Sequence, residues 1–477
     1  MAIEDGAGVE RRVAHHYPLW PGTPRVVVLG CGFGGLHFVR AFRGEAQVAV
    51  IDKQNHHAFQ PLLYQVAMAG LSVPDVAQPI RSIFRGRMNV MTVMEEVRGI
   101  DLGRRVVQLR QSSVEYTHLV IGLGGRTSYF GNDHWAEHAL GLKTVQDALD
   151  IRRRVLTSFE RAETEADPDE VRRLTTICVI GGGPTGVELA GTMAELSKKV
   201  FRRDFRKVDL NRVRVVLVQG ADRVLPGYPD RLCEAGKRQL EELGVEVMLN
   251  TRAEAIESGR VVLDSGEVIE ARNILWGGGV VASPIAAELG LPVDRRGRIE
   301  VEADCSLPGH PEAFAVGDIA TLVDAHGKEV PGVAQGAMQM GTHVAKIISR
   351  ELKTGDRKQP SERPAFAYFD KGDMATIGRS KAVAWLFKRV ECTGFVAWAM
   401  WAGVHLLFLA GFRSKVMTAV QWVWAYLLFR PGARIIFSPL HREVLEPSDL
   451  IAEGERAAAA AAAGKAFESA APEPGER

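Results

Sequence analysis

Two glycine-rich loops carry the chemistry most easily read from this chain: Gly30-Cys31-Gly32-Phe33-Gly34-Gly35 and Gly181-Gly182-Gly183-Pro184-Thr185-Gly186. Each follows an apolar run that reads as a strand, Arg25–Leu29 and Thr176–Ile180. In such a loop the first glycine (Gly30, Gly181) permits a tight turn. The second (Gly32, Gly183) brings bare backbone up to a pyrophosphate, and the third (Gly35, Gly186) lets the next helix close on the strand. The phosphates then meet unpaired N–H groups at the positive end of that helix. Two cradles in one chain predict a protein that holds two dinucleotides face to face and moves a hydride from one to the other.

A dinucleotide site also needs an acid about 20 residues further on, to accept hydrogen bonds from ribose hydroxyls. The run Val48–Ile51 ends at Asp52 and completes the first site. The matching run, Val213–Val218, ends at Gln219 instead, after a basic stretch over Glu195–Asn211 that reads as a helical insertion. Glutamine accepts from ribose hydroxyls less well than a carboxylate and does not repel a 2′-phosphate. The second site is therefore expected to bind NADH while discriminating poorly against NADPH.

The elements that must position these loops follow in order. His118–Leu123 reads as a strand running into Gly124-Gly125, and Asn273–Trp276 as a second one running into Gly277-Gly278-Gly279. Phe314–Val316 is a strand ending in Gly317-Asp318, and Val333–Leu352 a helix. The expected organisation is a loose leader over 1–23, then a first dinucleotide-binding domain over 24–131 that resumes over 298–365. A second such domain covers 132–297, a C-terminal domain 366–440, and an Ala- and Glu-rich disordered tail 441–477. The fold class is α/β, with two Rossmann-type domains and a C-terminal helical region.

Composition narrows the function classes. A formal net charge of +1 gives no sign of a nucleic-acid partner. Cysteines stand singly at Cys31, Cys178, Cys233, Cys305 and Cys392, which argues against a disulfide framework, a metal site or a redox dithiol. The leader carries Glu4, Asp5, Glu10, Arg11 and Arg12 without an apolar core, so it does not read as a signal peptide, and the body is expected in the cytoplasm.

The C-terminal region differs. Gly394–Gly411 and Val416–Phe429 carry no formal charge. Trp385, Trp398, Trp401, Trp422 and Trp424, most of the eight tryptophans, fall here between flanking Lys381, Lys388, Arg389, Arg413, Lys415, Arg430 and Arg434. That is the composition of a membrane–water interface. Spanning a bilayer takes about 20 apolar residues, which makes the first run borderline and the second short. Helices of about 380–436 lying in one leaflet are the favoured reading, a short transmembrane hairpin the weaker one. A homodimer interface or a buried hairpin is the remaining alternative.

Taken together these features resemble the type II NADH:quinone oxidoreductases, the single-subunit, non-proton-pumping NADH dehydrogenases of respiratory membranes. The most specific segments are Ile51-Asp52-Lys53-Gln54-Asn55-His56-His57-Ala58-Phe59-Gln60-Pro61-Leu62-Leu63-Tyr64-Gln65-Val66-Ala67 and Gly183-Pro184-Thr185-Gly186-Val187-Glu188-Leu189-Ala190-Gly191. Ala334-Gln335-Gly336-Ala337-Met338-Gln339 and Met374-Ala375-Thr376-Ile377-Gly378-Arg379 complete the set. The resemblance implies a non-covalent FAD in the first domain, NADH in the second, and a membrane quinone reached from the cytoplasmic face of the cell membrane. It implies that Asp52, with Lys53 beside it, holds the adenosine ribose, that Gly124 turns the chain back under the flavin, and that Gly317 and Asp318 hold the ribityl chain. It places Gln335 and Gln339, one helical turn apart, where a quinone head enters, and Glu188 near nicotinamide and quinone. Glu188 also reads as an ordinary first-turn acid, favoured by the helix dipole by about 0.3–1 kcal/mol. Two departures stand out: Gln219 where an acid is usual, and the glycine-rich turn ending in Gly279 on the floor of the nicotinamide pocket.

The expected reaction is hydride from NADH to FAD, then two electrons to quinone, with no protein nucleophile, metal or proton pumping. The alternative is a soluble NAD(P)H:acceptor flavin reductase serving a small redox protein. A third reading, a flavin-bearing membrane scaffold or NADH sensor, predicts reduction without fast reoxidation by quinone.

Overall fold

Short β-branched runs set the architecture. Arg-Val-Val-Val-Leu over Arg25–Leu29 and Thr-Ile-Cys-Val-Ile over Thr176–Ile180 are apolar at consecutive positions, so both faces must be covered. In the computed structural model, which describes residues 22–428 and 434–436, each strand lies inside its own sheet. Nearly all of the expected leader and the whole of the expected tail lie outside the described residues.

From Arg25–Leu29 the first sheet builds outward in parallel through Gln47–Asp52 and Val90–Met94. It then returns to the other side as His118–Ile121, followed by His310–Ala315. The second sheet repeats the plan. Thr176–Ile180 leads out through Arg214–Val218 and Val245–Met248, and Asn273–Trp276 returns on the other side, with Ala139–Gly141 beyond it. Strand order reverses beside Leu29 and again beside Ile180. In an open parallel sheet each reversal leaves a crevice at the strands' carboxyl ends. Both glycine loops occupy these crevices.

The turns there demand glycine. Gly30 has φ of 86°, and a Cβ on it would stand 2.4 Å from the carbonyl oxygen of Gly122. Gly181, at φ 103°, passes as closely to Gly277 and Gly278, where a Cβ would stand 2.9 Å from their backbone. An antiparallel ribbon of Gly125–Thr127 with Val280–Ala282 joins the two sheets.

Each sheet has its own core, one around Val27, Phe38 and Phe314, the other around Ile151, Phe159 and Leu217. The segment Phe59–Leu71, which follows the first sheet's second strand, packs into the second core. A third unit completes the chain: an antiparallel sheet of Gly372–Thr376, Ala382–Leu386 and Val390–Thr393, then helices Gly394–Phe408 and Phe412–Leu428. Ile377 and Trp401 belong to the second core. Among the described residues no helix is long and apolar enough to cross a membrane.

The basic insertion differs from its expected helix. It forms a loosely wound turn, Leu196–Val200, and tight turns over Phe201–Arg203 and Leu210–Arg212. Phe201 and Phe205 pack on Phe159, in the second sheet's core and distant in the chain, and this anchor breaks the segment into short turns.

Helices Phe33–Ala41 and Ala334–Thr354 cross where backbone meets backbone. A Cβ on Gly341 would stand 2.2 Å from the Gly34 oxygen. Gly341→Ala is expected to force them apart and destabilise by about 1–3 kcal/mol. Gly403→Ala, in Gly394–Phe408 with nothing within 4 Å, is expected to stabilise by about 0.5–1 kcal/mol through helix propensity. Thermal unfolding of both variants checks the contrast; a Gly341→Ala protein melting at or above the parent contradicts it.

Candidate functional site

Each cradle is built from an uncapped helix start. Gly32 precedes Phe33–Ala41 and Gly183 precedes Pro184–Glu195, and neither helix has a side chain capping its first N–H groups. A Cβ on Gly32 or Gly183 would meet nothing within 4 Å, so the backbone faces open space. Gly35 and Gly186 close the other side, where a Cβ would stand 2.0 Å from the Gly30 oxygen and 1.8 Å from the Gly181 oxygen. Open N–H groups on a rigid turn are what a pyrophosphate requires.

The residue ending the next strand locks each loop in the same way. Asp52 accepts from the Cys31 N–H at 2.7 Å and from the Gln54 N–H at 2.8 Å. Burial pushes its carboxyl above the usual range, and these two N–H bonds oppose that rise. In the second loop, Gln219 Oε1 accepts from the Gly182 N–H at 2.8 Å, while its Nε2 donates to the Arg223 carbonyl at 3.2 Å. Gln219 thus holds the position of Asp52 without its charge. Lys53 is exposed beside Asp52.

Around the first cradle, Gly124 has φ of 67° and its carbonyl accepts from the Ser283 N–H at 3.1 Å. Gly317, at φ 78°, starts the turn that carries Asp318. Asp318 Oδ2 meets Lys143 Nζ at 3.2 Å, a partner that sequence reasoning missed. Lys143 is placed by the capping box of helix Val145–Thr164, in which Asp147 accepts from the N–H groups of Lys143 and Thr144. Gly279 lies against Phe130, and the neighbouring Trp276 donates to the Ser128 carbonyl at 2.9 Å.

One strand, Gly372–Thr376, brings the catalytic candidates together. Gln335 Nε2 reaches the Gly372 carbonyl at 3.4 Å, and its buried Oε1 has no hydrogen-bond partner. Gln339 is engaged differently: its Nε2 donates to the Phe369 carbonyl and its Oε1 accepts from the Phe369 N–H, both at 3.0 Å. Its amide therefore holds the strap leading into the strand. At the strand's other end, the Thr376 N–H lies 3.5 Å from Glu188 Oε1. Burial raises the Glu188 carboxyl from 4.5 to about 8, and that long bond is the only opposing influence.

Three further residues, visible in sequence only as parts of a family segment and the tryptophan-rich terminus, form a chain to this strand. The Trp422 indole donates to Gln65 Oε1 at 2.7 Å, Gln65 Nε2 donates to the Tyr64 hydroxyl at 2.9 Å, and Tyr64 meets Thr376 Oγ1 at 2.9 Å. An indole N–H only donates, so it fixes which way the Gln65 amide faces. His57 donates from Nδ1 to the Cys31 carbonyl at 2.8 Å; burial lowers its pKa to about 4, which keeps it neutral. Among the described residues no cluster could hold a metal ion.

Comparison with known proteins assigns the chain to a family. Residues 24–341 match the family of pyridine nucleotide-disulphide oxidoreductases. The chain is 40% identical over 459 residues to the type II NADH:quinone oxidoreductase Ndh of Mycobacterium tuberculosis, covering 92% of this chain and 97% of that protein. It is 38% identical to the type II NADH:quinone oxidoreductase NdhA of the same organism, over 92% of this chain and 95% of the relative. The structure of NDH2 from Plasmodium falciparum in complex with NADH superposes with a TM-score of 0.79, at 18% identity, over 87% of this chain and 100% of that one.

The raised Glu188 pKa makes a signed prediction. Below pH 4.5 the carboxyl is neutral folded and unfolded. As pH rises from 4.5 to about 8, only the unfolded state ionises, so this group's contribution to stability falls and then levels off. Glu188→Gln is therefore expected to gain thermal stability relative to the parent progressively between pH 5 and about pH 8. Melting curves across that range decide it; a constant offset contradicts the assignment.

Proposed function

On the premise that this chain belongs to the type II NADH:quinone oxidoreductases, we propose how its two cradles serve one reaction. The activity is NADH oxidation coupled to quinone reduction, without proton pumping. The observation that carries the reading is that one strand, Gly372–Thr376, is contacted at one end by Gln335, from the helix beside the first cradle, and at the other by Glu188, from the second cradle's helix.

The first cradle fits a non-covalent FAD: open backbone at Gly32, an uncapped helix start, and Asp52 and Asp318 for the ribose and ribityl hydroxyls, with Gly124 and Lys53 at the same site. When bound, FAD supplies the two-electron chemistry that links nicotinamide to quinone. The second cradle, with Gly181, Gly183, Gly186, Gln219 and Gly279, takes NADH, and Gln219 leaves it open to NADPH.

The protein's own part is geometric and electrostatic. Helix Ala334–Thr354 begins without a side-chain cap, and Ala337 in its first turn packs against Gly317, next to Asp318. Its dipole there favours negative charge. Glu188, its carboxyl pushed up to about 8 by burial, holds its proton to higher pH than an ordinary glutamate and would offer a hydrogen-bond donor to a nicotinamide or quinone bound between the two cradles. Gln335 turns an unpartnered amide oxygen into the site. Gln339 keeps the strap Phe369–Gly372 in place and so shapes the quinone opening.

The quinone arrives from the bilayer through residues about 380–436, at the cytoplasmic face of the cell membrane. The two C-terminal helices are pinned on one side only. Trp401, Ser414 and Thr418 are buried, and Thr418 Oγ1 bonds the Asp75 carbonyl at 3.4 Å. On the other side Leu407, Phe412, Val420, Val423 and Trp424 stand exposed. A contiguous apolar face of this kind suits a lipid surface; a second copy of the chain is the competing occupant. A soluble reductase for a small redox protein leaves this face without a role.

Two measurements test the reading. Purified protein is expected to be yellow, to bleach with NADH in the absence of oxygen, and to recover its colour on addition of a short-chain quinone. A colourless protein that takes up no FAD overturns the reading, and bleaching without recovery by quinone points to a sensor. Leu407→Glu with Val423→Glu is expected to abolish co-sedimentation with liposomes and weaken turnover of long-chain quinone while leaving ferricyanide reduction intact. A monomer–dimer shift in detergent with unchanged liposome binding assigns the face to a second copy instead.

A further inference from the structure

Arg252 stands beside the strand-end position of the second cradle, its carbonyl accepting from the Asp264 N–H at 3.0 Å and its guanidinium without a hydrogen-bond or ion-pair partner among the described residues. Its place is set by backbone. Gln219 donates its N–H to Met248 at 2.8 Å and accepts from the Thr251 N–H at 3.0 Å, and the Asn250 N–H reaches Ala221 at 2.9 Å. These three bonds clamp Leu249–Arg252 along Gln219–Ala221. The Arg252 side chain then lies across Gly220, its Cγ 3.0 Å and its Nε 3.2 Å from where a Cβ on that glycine would sit. A side chain at 220 would press on the arginine and shift it from this position.

The two loops are equivalent by their own hydrogen bonds: Gln219 locks Gly182 as Asp52 locks Cys31. If Asp52 marks the adenosine ribose of the first dinucleotide, Gln219 marks it in the second, and Gly220 with Arg252 lies next to the ribose 2′ position. A carboxylate there selects a 2′-hydroxyl, whereas a nearby arginine accommodates a 2′-phosphate. Guanidinium does so with two parallel N–H bonds to phosphate oxygens. Arg223, the neighbouring cation, is already engaged by both Asp222 and Asp230. Arg252 is the charge left over.

We propose that Arg252, lying across Gly220 where Gln219 replaces an acid, forms a subsite for an adenosine 2′-phosphate, so that the second cradle takes NADPH as a donor alongside NADH. The proposal rests on the reading that this cradle binds the nicotinamide nucleotide.

The test compares the FAD-loaded parent with Arg252→Gln and Gly220→Ala, using NADH and NADPH with a short-chain quinone. Adenosine 2′,5′-bisphosphate and ADP serve as competitive probes. Both variants are expected to lower kcat/KM for NADPH about ten- to a hundredfold, mainly through KM, while kcat/KM for NADH stays within about twofold. The parent is expected to bind the 2′,5′-bisphosphate more tightly than ADP, and Arg252→Gln to erase that preference. Equal losses for both nucleotides, or a parent that oxidises NADH but shows neither NADPH turnover nor a preference for the bisphosphate, overturn the subsite and leave the NADH:quinone activity standing. Failure of both nucleotides to reduce the protein overturns the underlying reading and the subsite with it.

Discussion

Backbone must touch backbone where each glycine loop leaves its strand, and the remaining architecture accommodates that contact. Gly30 lies against Gly122, and Gly181 against Gly277 and Gly278. Each pair comes from neighbouring parallel strands at the point where the strand order reverses. No side chain fits between them, so the following helix starts with its first N–H groups facing open space. An anion site made this way needs no charged residue at its centre; its charge preference comes from peptide dipoles that the fold has already oriented.

The second organising feature is a single strand. Gly372–Thr376 lies outside both parallel sheets, yet it touches the helix of each, Gln335 at one end and Glu188 at the other, while Gln339 holds the strap at Phe369 that leads into it. Its position depends on the segment Phe59–Leu71, which crosses from the first sheet into the second core and presents Tyr64 to Thr376. A carboxyl group enclosed here cannot ionise at its ordinary pH, because the surrounding protein offers one long N–H bond in exchange for lost water. The raised pKa of Glu188 is thus a consequence of where the two halves meet.

The C-terminal helices differ between their two sides. Their inner side carries Trp401, Ser414, Thr418 and the Trp422 indole that begins the hydrogen-bond chain to Thr376. Their outer side is apolar and unpaired. Attachment at the inner side keeps that outer face at a fixed orientation to the site, which is what a carrier arriving from a lipid phase would require.

Local rules made much of this visible in the amino-acid order. Strands before each loop, the glycine positions, the return turns at Gly124 and Gly279, the Gly317-Asp318 ending and the helix carrying Gln335 follow from periodicity and turn chemistry, which act over a few neighbouring residues. The basic insertion escaped the same rules because its phenylalanines answer to a distant core. Tertiary structure alone decided how side chains are used. Gln339 reads like Gln335 in sequence, yet its amide closes on Phe369 while Gln335 keeps a free oxygen. Lys143 reaches Asp318 and Arg252 reaches Gly220 only through pairings between segments far apart in the chain. A residue's type states which bonds it can make; which of them it makes depends on the neighbours that packing supplies, and that information is not local.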